Sequence, residues 1–256
     1  MKLIDELEDL ILVAGHAAFR GNVSGVPAQP ESDEFWVLDE GFQLGEPAFY
    51  IEHIRRGVVL AANNPDAMLM FSGGLTRRDA GTWSEARTYH ELAEHYLPFW
   101  VPDRYNKNQL REDIAKRMQE EGHARDSYEN LLFGICRFLR LTGHTPRLVT
   151  VVSWAFKATR FQMHRAAIGF PAARFRFDGF NEPVFVEGAW RGELKTLRDF
   201  VEHPHGTASA LFRKRMLRTF GPRDHDYRKC NGLHDFIELL ESGREIDEIE
   251  FPSEVW

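Results

Sequence analysis

The stretch "LMFSGGLTRRDAGTWSEA", residues 69–86, decides the fold. Its apolar first half belongs to a short run, "AMLMFSG" (67–73), that reads as a buried strand. The run stops at Ser72-Gly73-Gly74, and Thr82-x-x-Glu85 then carries a capping-box signature that opens a helix to about Leu97. A buried strand that turns through two glycines into a capped helix is half of a βαβ unit.

The same grammar extends to both sides. "DLILVAG" (9–15) and "RLVTVVSW" (147–154) are further buried strands, and "ARFRFDGF" (173–180) alternates like a strand. Between 9–15 and 67–73 lie an irregular Gly/Pro/Ser-rich stretch, about His16 to Glu46, and a helix opened by Pro47 and stopped at Asn63-Asn64-Pro65. Pro98 to Asn106 reads as a break with a short strand at Trp100-Val101, and Gln109 to Glu120 as a charged helix. Asp126-x-x-Glu129 caps another helix that ends before Gly143, and 155–169 is a helix stopped by Gly169. Strands alternate with helices, which predicts a Rossmann-like α/β sandwich with a mostly parallel central sheet and helices on both faces. Residues 1–180 form that domain. Residues 181–256 read as a C-terminal extension packed on it, whose basic part (seven Lys/Arg in 211–229) and acidic part (six Asp/Glu in 241–256) fold against each other.

Composition narrows the function. A net charge of −7 provides no general affinity for nucleic acid. Cys136 and Cys230 cannot build a disulfide framework and read as free thiols in a reducing compartment. No apolar run reaches the ~20 residues of a membrane span, and the acidic MKLIDELEDL start is unlike a signal peptide. These features point to a cytoplasmic protein whose partner is neither membrane nor nucleic acid. GxGxxG, P-loop, GxSxG and CxxC signatures are absent, and the histidines, "HPH" (203–205) included, lack metal-ligand spacing, so no metal site is expected from them.

Ligands on open α/β sheets bind beyond the carboxyl ends of the strands, and the polar clusters fall there. After "AMLMFSG", Ser72, Gly73 and Gly74 are expected to aim main-chain amides outward at an anion, with Thr76, Arg77 and Arg78 beside them; a tight turn with solvated arginines explains the same residues. Glu85 fits a capping role at the third helical position or a place in the cleft. "EEGHARDSYEN" (120–130) gathers Glu121, His123, Arg125, Asp126, Glu129 and Asn130 ahead of an apolar helix. After Ser153, Lys157, Arg160 and His164 are spaced i, i+3, i+7 on one helical face, which suits a phosphate or carboxylate, or else a solvated basic surface. His16 directly follows the first strand and reads equally as a structural histidine.

Five segments in order, "LVAGHAAF" (12–19), "FSGG" (71–74), "SEA" (84–86), "EGHARDSYEN" (121–130) and "SWAFKATRF" (153–161), resemble the DUF218 family, the group of YdcF-like, SanA-like and ElyC-like proteins. The phrases "GHA", "ARDSYENLLFGICRF" and "FKATRFQMHR" look most like its eukaryotic, fungal-type branch. Lys157 stands where bacterial members commonly have histidine, and Ala124 where they often have serine. The resemblance covers residues 10–180 and implies a polar cleft built from Gly15, Ser72, Gly73, Gly74, Ser84, Glu85, Glu121, Asn130, Ser153, Lys157 and Arg160, with His16, Arg125, Asp126 and His164 added by the narrower pattern; Arg77 joins them from the reading of the glycine turn. It implies a small anionic ligand, phosphorylated or nucleotide-type. Glu121 or Glu85 is then the expected base, and His164 or His16 the expected acid. Mg²⁺ or S-adenosylmethionine is a possible companion. A hydrolase or transferase is one reading; a non-catalytic binding protein for a compound such as S-adenosylmethionine is the other. Oligomeric state is not legible.

Overall fold

A computed structural model describes residues 2–21, 29–39, 41–101, 107–221, 223–230, 232–253 and 255–256, with backbone only at Lys107. In chain order the elements are β1 (Asp9–Ala14), β2 (Ala18–Phe19), β3 (Trp36–Val37), α1 (Pro47–Asn63), β4 (Ala67–Ser72), α2 (Glu85–Trp100), α3 (Lys107–Arg117), β5 (Met118–Glu121), α4 (Ser127–Thr142), β6 (Leu148–Trp154), α5 (Ala158–Ala167), β7 (Phe175–Phe180), α6 (Val186–Glu202), α7 (Ser209–Leu217) and α8 (His234–Leu240). Five strands form one all-parallel sheet in the order β5-β4-β1-β6-β7. The chain winds outward from β1 through β4 to β5, then restarts on the other side of β1 with β6 and β7. That is the order of a doubly wound Rossmann-like sandwich, and its reversal point lies between β1 and β6.

Every residue of β1 and β4 is buried, as parallel strands covered on both faces require. Alternate residues divide between two cores. Leu10, Leu12, Met68 and Met70 meet α4, α5 and the C-terminal helices; Ile11, Val13, Leu69 and Phe71 meet α1 and α2. Residues beyond 181 belong to the first of these cores through Phe200, Leu211, Tyr227, Phe236, Ile237 and Leu240. Cys136 and Cys230 are free and buried. No helix of the described residues is long and apolar enough to cross a membrane.

α1 opens on Pro47, α4 on the Asp126 side chain, which accepts from the Glu129 amide, and α4 ends on Gly143 at φ +82°. Elsewhere the expectations need correction. The cap of α2 is Ser84, whose Oγ accepts from the Arg87 amide at 3.1 Å, so Glu85 sits at the first helical position and Thr82 outside the helix. Pro98 does not end that helix, which runs on to Trp100; no strand forms at Trp100-Val101, and 102–106 lie outside the described residues. The charged helix ends at Arg117, and "MQEE" (118–121) is an edge strand paired with β4 alone. Its polar residues are tolerated because one side of an edge strand stays unpaired. The stretch from His16 to Glu46 contains the small antiparallel pair β2–β3; its residues 22–28 and 40 lie outside the described ones.

Candidate functional site

The parallel register lines up the strand ends. Ala14 stands beside Ser72, and Ser72 beside Glu121, while on the other side of β1 the register puts Ser153 level with Ala14 and Trp154 one residue further on. Over this carboxyl edge, at the reversal point of the sheet, opens a cavity of about 690 Å³. That size suits a ligand larger than a bare inorganic anion. Gly15, His16, Arg77, Glu85, Arg125, Asp126, Asn130, Ser153, Lys157 and Arg160 all line it. Segments far apart in the chain therefore meet at one rim, as read from the sequence.

The glycine turn has a different task from the one expected. The Gly15 amide donates to the Ser72 carbonyl at 2.7 Å, Gly73 to the Glu121 carbonyl at 3.0 Å, and Gly74 to the Ala124 carbonyl at 2.6 Å. Those amides are spent inside the protein, so they do not hold an anion. Glycine is required here by crowding. A Cβ on Gly15 or Gly73 would lie 2.7 Å from Glu85 Oε2, and one on Gly74 would lie 2.6 Å from the Ala124 carbonyl. The turn clears space for the Glu85 side chain and ties β4 to the end of β5. Glu85 faces the cavity, takes a 2.5 Å bond from the Thr76 hydroxyl, and is pushed up by burial.

Six residues expected in the cleft are not on its wall: Ser72, Gly73, Gly74, Ser84, Glu121 and His164. Glu121 is fully buried beneath it. The Ser72 hydroxyl lies 2.7 Å from its Oε2, and its Oε1 accepts from the His123 amide at 2.8 Å and the Tyr227 hydroxyl at 3.2 Å. Burial raises it, and these donors work against that rise. Its carboxylate knots β4, β5 and the C-terminal segment together. His164 is buried among Phe161, Tyr128 and Phe200, with its Nε2 2.8 Å from the Ser127 hydroxyl, which does reach the cavity. Ser84 is spent on the α2 cap.

Arg125 and Asp126 are structural as much as they are cavity wall. Arg125 and Glu129 form a buried pair at 2.5 Å, and Arg215 from α7 reaches both Asp126 (2.7 Å) and Glu129 (3.4 Å). Burial pushes Asp126 and Glu129 up, but the surrounding guanidinium groups outweigh it and hold both carboxyls below their ordinary values. Part of the basic C-terminal segment therefore folds against the start of α4. Its acidic counterpart reaches it through Glu241, which meets Arg223 and His225 at 2.6 Å each.

This docking brings two cations to the cavity that sequence reasoning missed, Lys214 on α7 and Arg218 just after it. Their i, i+4 spacing within 211–229 was the available signal. They face Lys157 and Arg160, while Arg160 is also bonded to Glu193 of α6 at 2.5 and 3.0 Å. Burial and the repulsion of Arg160 bring Lys157 down to about 7, and Lys214 is pulled below the usual lysine range by burial, Arg218 and Arg160. Neither Lys157 nor Lys214 has a carboxylate within ion-pair distance among the described residues. Ser153 adds a fully buried hydroxyl with no partner on the same wall. Phe42, Phe156 and Phe185 add aromatic rings to the lining.

Over 210 residues the chain is 26% identical to "Uncharacterized protein YOR238W" of Saccharomyces cerevisiae, an overlap of 70% of this chain and 69% of the yeast protein. No family model and no solved structure matches the chain.

Proposed function

We propose that this protein binds a small anionic molecule, phosphorylated or nucleotide-type, in the cavity at the carboxyl edge of the sheet and acts on it as a hydrolase or transferase, in keeping with its resemblance to the DUF218 family. One observation carries the reading. Lys157, Arg160, Lys214 and Arg218 crowd one cavity, and the two lysines lose basicity there through burial and neighbouring cations. Repulsion of this kind opposes folding, and an anion seated among the four would relieve it. The unpartnered Ser153 hydroxyl supports the same reading, since a buried polar group without a partner is costly unless a ligand meets it.

Mg²⁺ fits this wall only as a companion of the ligand's own phosphates. The cavity carboxylates Glu46, Glu85, Asp126 and Glu193 are already bonded to Tyr50, Thr76, Arg215 and Arg160. Among the described residues the one cluster with metal-ligand geometry is the exposed His234, Asp235 and Glu238, outside the cavity. A second reading, a binding protein without turnover for a nucleotide-like compound such as S-adenosylmethionine, is favoured by the aromatic rings in the lining, on which a base could stack. The buried free thiols fit a cytoplasmic setting.

The test is calorimetry and thermal shift with inorganic pyrophosphate, a nucleoside diphosphate and S-adenosylmethionine, followed by product analysis. Pyrophosphate is expected to raise the melting temperature, and Lys214→Met and Arg218→Met each to weaken its binding about five- to tenfold, the loss of one charge-assisted contact. Absence of binding by every anion tried, or binding by both variants undiminished from the wild type, overturns the proposal. Product formation separates the enzyme from the binding protein.

A further inference from the structure

A line of hydrogen bonds runs from the sheet edge to the cavity. The carbonyl of Phe180, last in β7, lies 2.9 Å from His53 Nε2. His53 Nδ1 lies 3.2 Å from His16 Nε2, and His16 Nδ1 lies 3.3 Å from Lys157 Nζ. The direction of this line can be deduced. A carbonyl only accepts, so His53 carries its proton on Nε2. Burial brings His53 down to about 4, so its ring is neutral at physiological pH and Nδ1 is bare. His16 must then donate from its Nε2. Burial and the neighbouring Lys157 charge hold His16 well below the ordinary histidine value, so its Nδ1 is a lone pair aimed at Lys157. Trp154 packs edge-on against His53 and holds the ring in place.

We propose that Lys157 is the group that takes up and gives back a proton in this cavity, and that His53 and His16 are positioning residues that pin one of its N–H bonds and leave the rest of the amine facing the ligand. This assigns acid–base work to a residue first read as a mere anion holder, and takes it from Glu121 and His164, which do not reach the cavity. The groups facing Lys157 are balanced. Arg160 on α5 and Lys214 on α7 oppose its charge, Glu193 on α6 and Glu46 ahead of α1 favour it, and the His16 lone pair accepts from it. Because burial and Arg160 already bring it to about 7, a small change in local charge decides its protonation. An anion arriving beside it draws a proton from solvent onto the amine. As water or an acceptor hydroxyl forms its bond to the transferred group and gives its own proton to solvent, the bond to the departing oxygen breaks and the ammonium passes its proton to that oxygen, which leaves neutral Lys157 to regain a proton from solvent. The uptake step rests on the anion-binding reading above; the tautomers and the neutral-range titration do not.

The test uses nuclear magnetic resonance on the full chain. Long-range ¹H–¹⁵N spectra are expected to show His16 and His53 both neutral with the proton on Nε2 between pH 6 and 8. Lysine Cε titration is expected to show two midpoints below the ordinary lysine range, near 7 and near 8, of which the lower is missing in Lys157→Met. Pyrophosphate should raise that lower midpoint by a unit or more, a tenfold gain in proton affinity. His53→Phe, which keeps the aromatic packing, should lower it by freeing His16 to turn its N–H toward Lys157. An Nδ1–H tautomer on either ring, or a Lys157 midpoint in the ordinary lysine range, overturns the inference. Pyrophosphate binding without a shift overturns the uptake step alone. Failure of pyrophosphate to bind, with tautomers and midpoint as stated, overturns the uptake step, and failure of every anion tried overturns the anion reading as well; the positioning line stands in both cases.

Discussion

Replacing Arg215 by methionine should do more damage than any other single change in the C-terminal segment. The guanidinium is 1% exposed and spans two carboxylates: Nε and Nη2 reach Asp126 Oδ2 at 2.9 and 2.7 Å, and Nε reaches Glu129 at 3.4 Å. A third bond goes to the His205 carbonyl at 3.1 Å. Methionine fills much of the volume but leaves Asp126 with the Glu129 amide as its remaining bond, and Glu129 with Arg125 as its close partner. Breaking a buried pair by removing one partner costs about 3–5 kcal/mol. In a chain of this length that is a fall of roughly 6–20 °C in melting temperature. The sign of the pH dependence follows from the two carboxyls. Both are held below their ordinary values of 3.8 and 4.5, so the stabilisation is complete above those values and is lost as pH falls through the lower folded-state ones. Calorimetric melting of the wild type and Arg215→Met should therefore show a constant gap from pH 8 to about 5 that narrows in stronger acid. A drop under about 2 °C, or a gap that persists undiminished at the acid end, refutes the reasoning. Pyrophosphate binding should be lost as well, because Lys214 and Arg218 depend on the same docking.

Other outcomes follow from local geometry. Ser84→Ala should cost about 1 kcal/mol in urea unfolding through loss of the α2 cap, whereas Thr82→Ala should be neutral; the reverse order would restore the capping box. Gly74→Ala should lower the melting temperature sharply, since its Cβ would sit 2.6 Å from a main-chain oxygen, and an unchanged melt would mean the turn relaxes freely. Affinity for sulfate, whose charge is constant over the range, should fall about tenfold between pH 6 and 8.5 as Lys157 loses its proton near 7, a slope bounded by 1.4 kcal/mol per unit. Lys157→Met should bind sulfate more weakly with a flatter profile, and an equal slope in both proteins would assign the titration elsewhere.

The strands that carry the sheet were legible because burial on both faces demands unbroken apolar runs, as in β1 and β4. β5 was not, since "MQEE" hides one fully buried carboxylate in what reads as the end of a charged helix. Convergence of Gly15, Glu85, Ser153 and Lys157 on one rim followed from placing each at a strand end or at the start of a helix that follows one. Which groups face the ligand did not follow, because that depends on partners distant in sequence. The glycine amides are consumed by Ser72, Glu121 and Ala124, and Glu121 by Ser72 and Tyr227. The basic run at 211–229 reads as a partner for the acidic run at 241–256, and nothing in it announces that Arg215 is buried against Asp126, which turns Lys214 and Arg218 toward the cavity. His53 lies on an apolar helical face, and its acceptor, the Phe180 carbonyl, is 127 residues away. No local pattern announces such a partner.

The most direct measurement is an anomalous difference map from crystals soaked in tungstate at pH 8. The strongest peak is expected inside the cavity, within contact distance of Lys157, Arg160, Lys214 and Arg218, and absent from crystals of a Lys214→Met, Arg218→Met double variant. Tungstate bound elsewhere, or a cavity without a peak at saturating soak, would contradict a pocket built for negative charge.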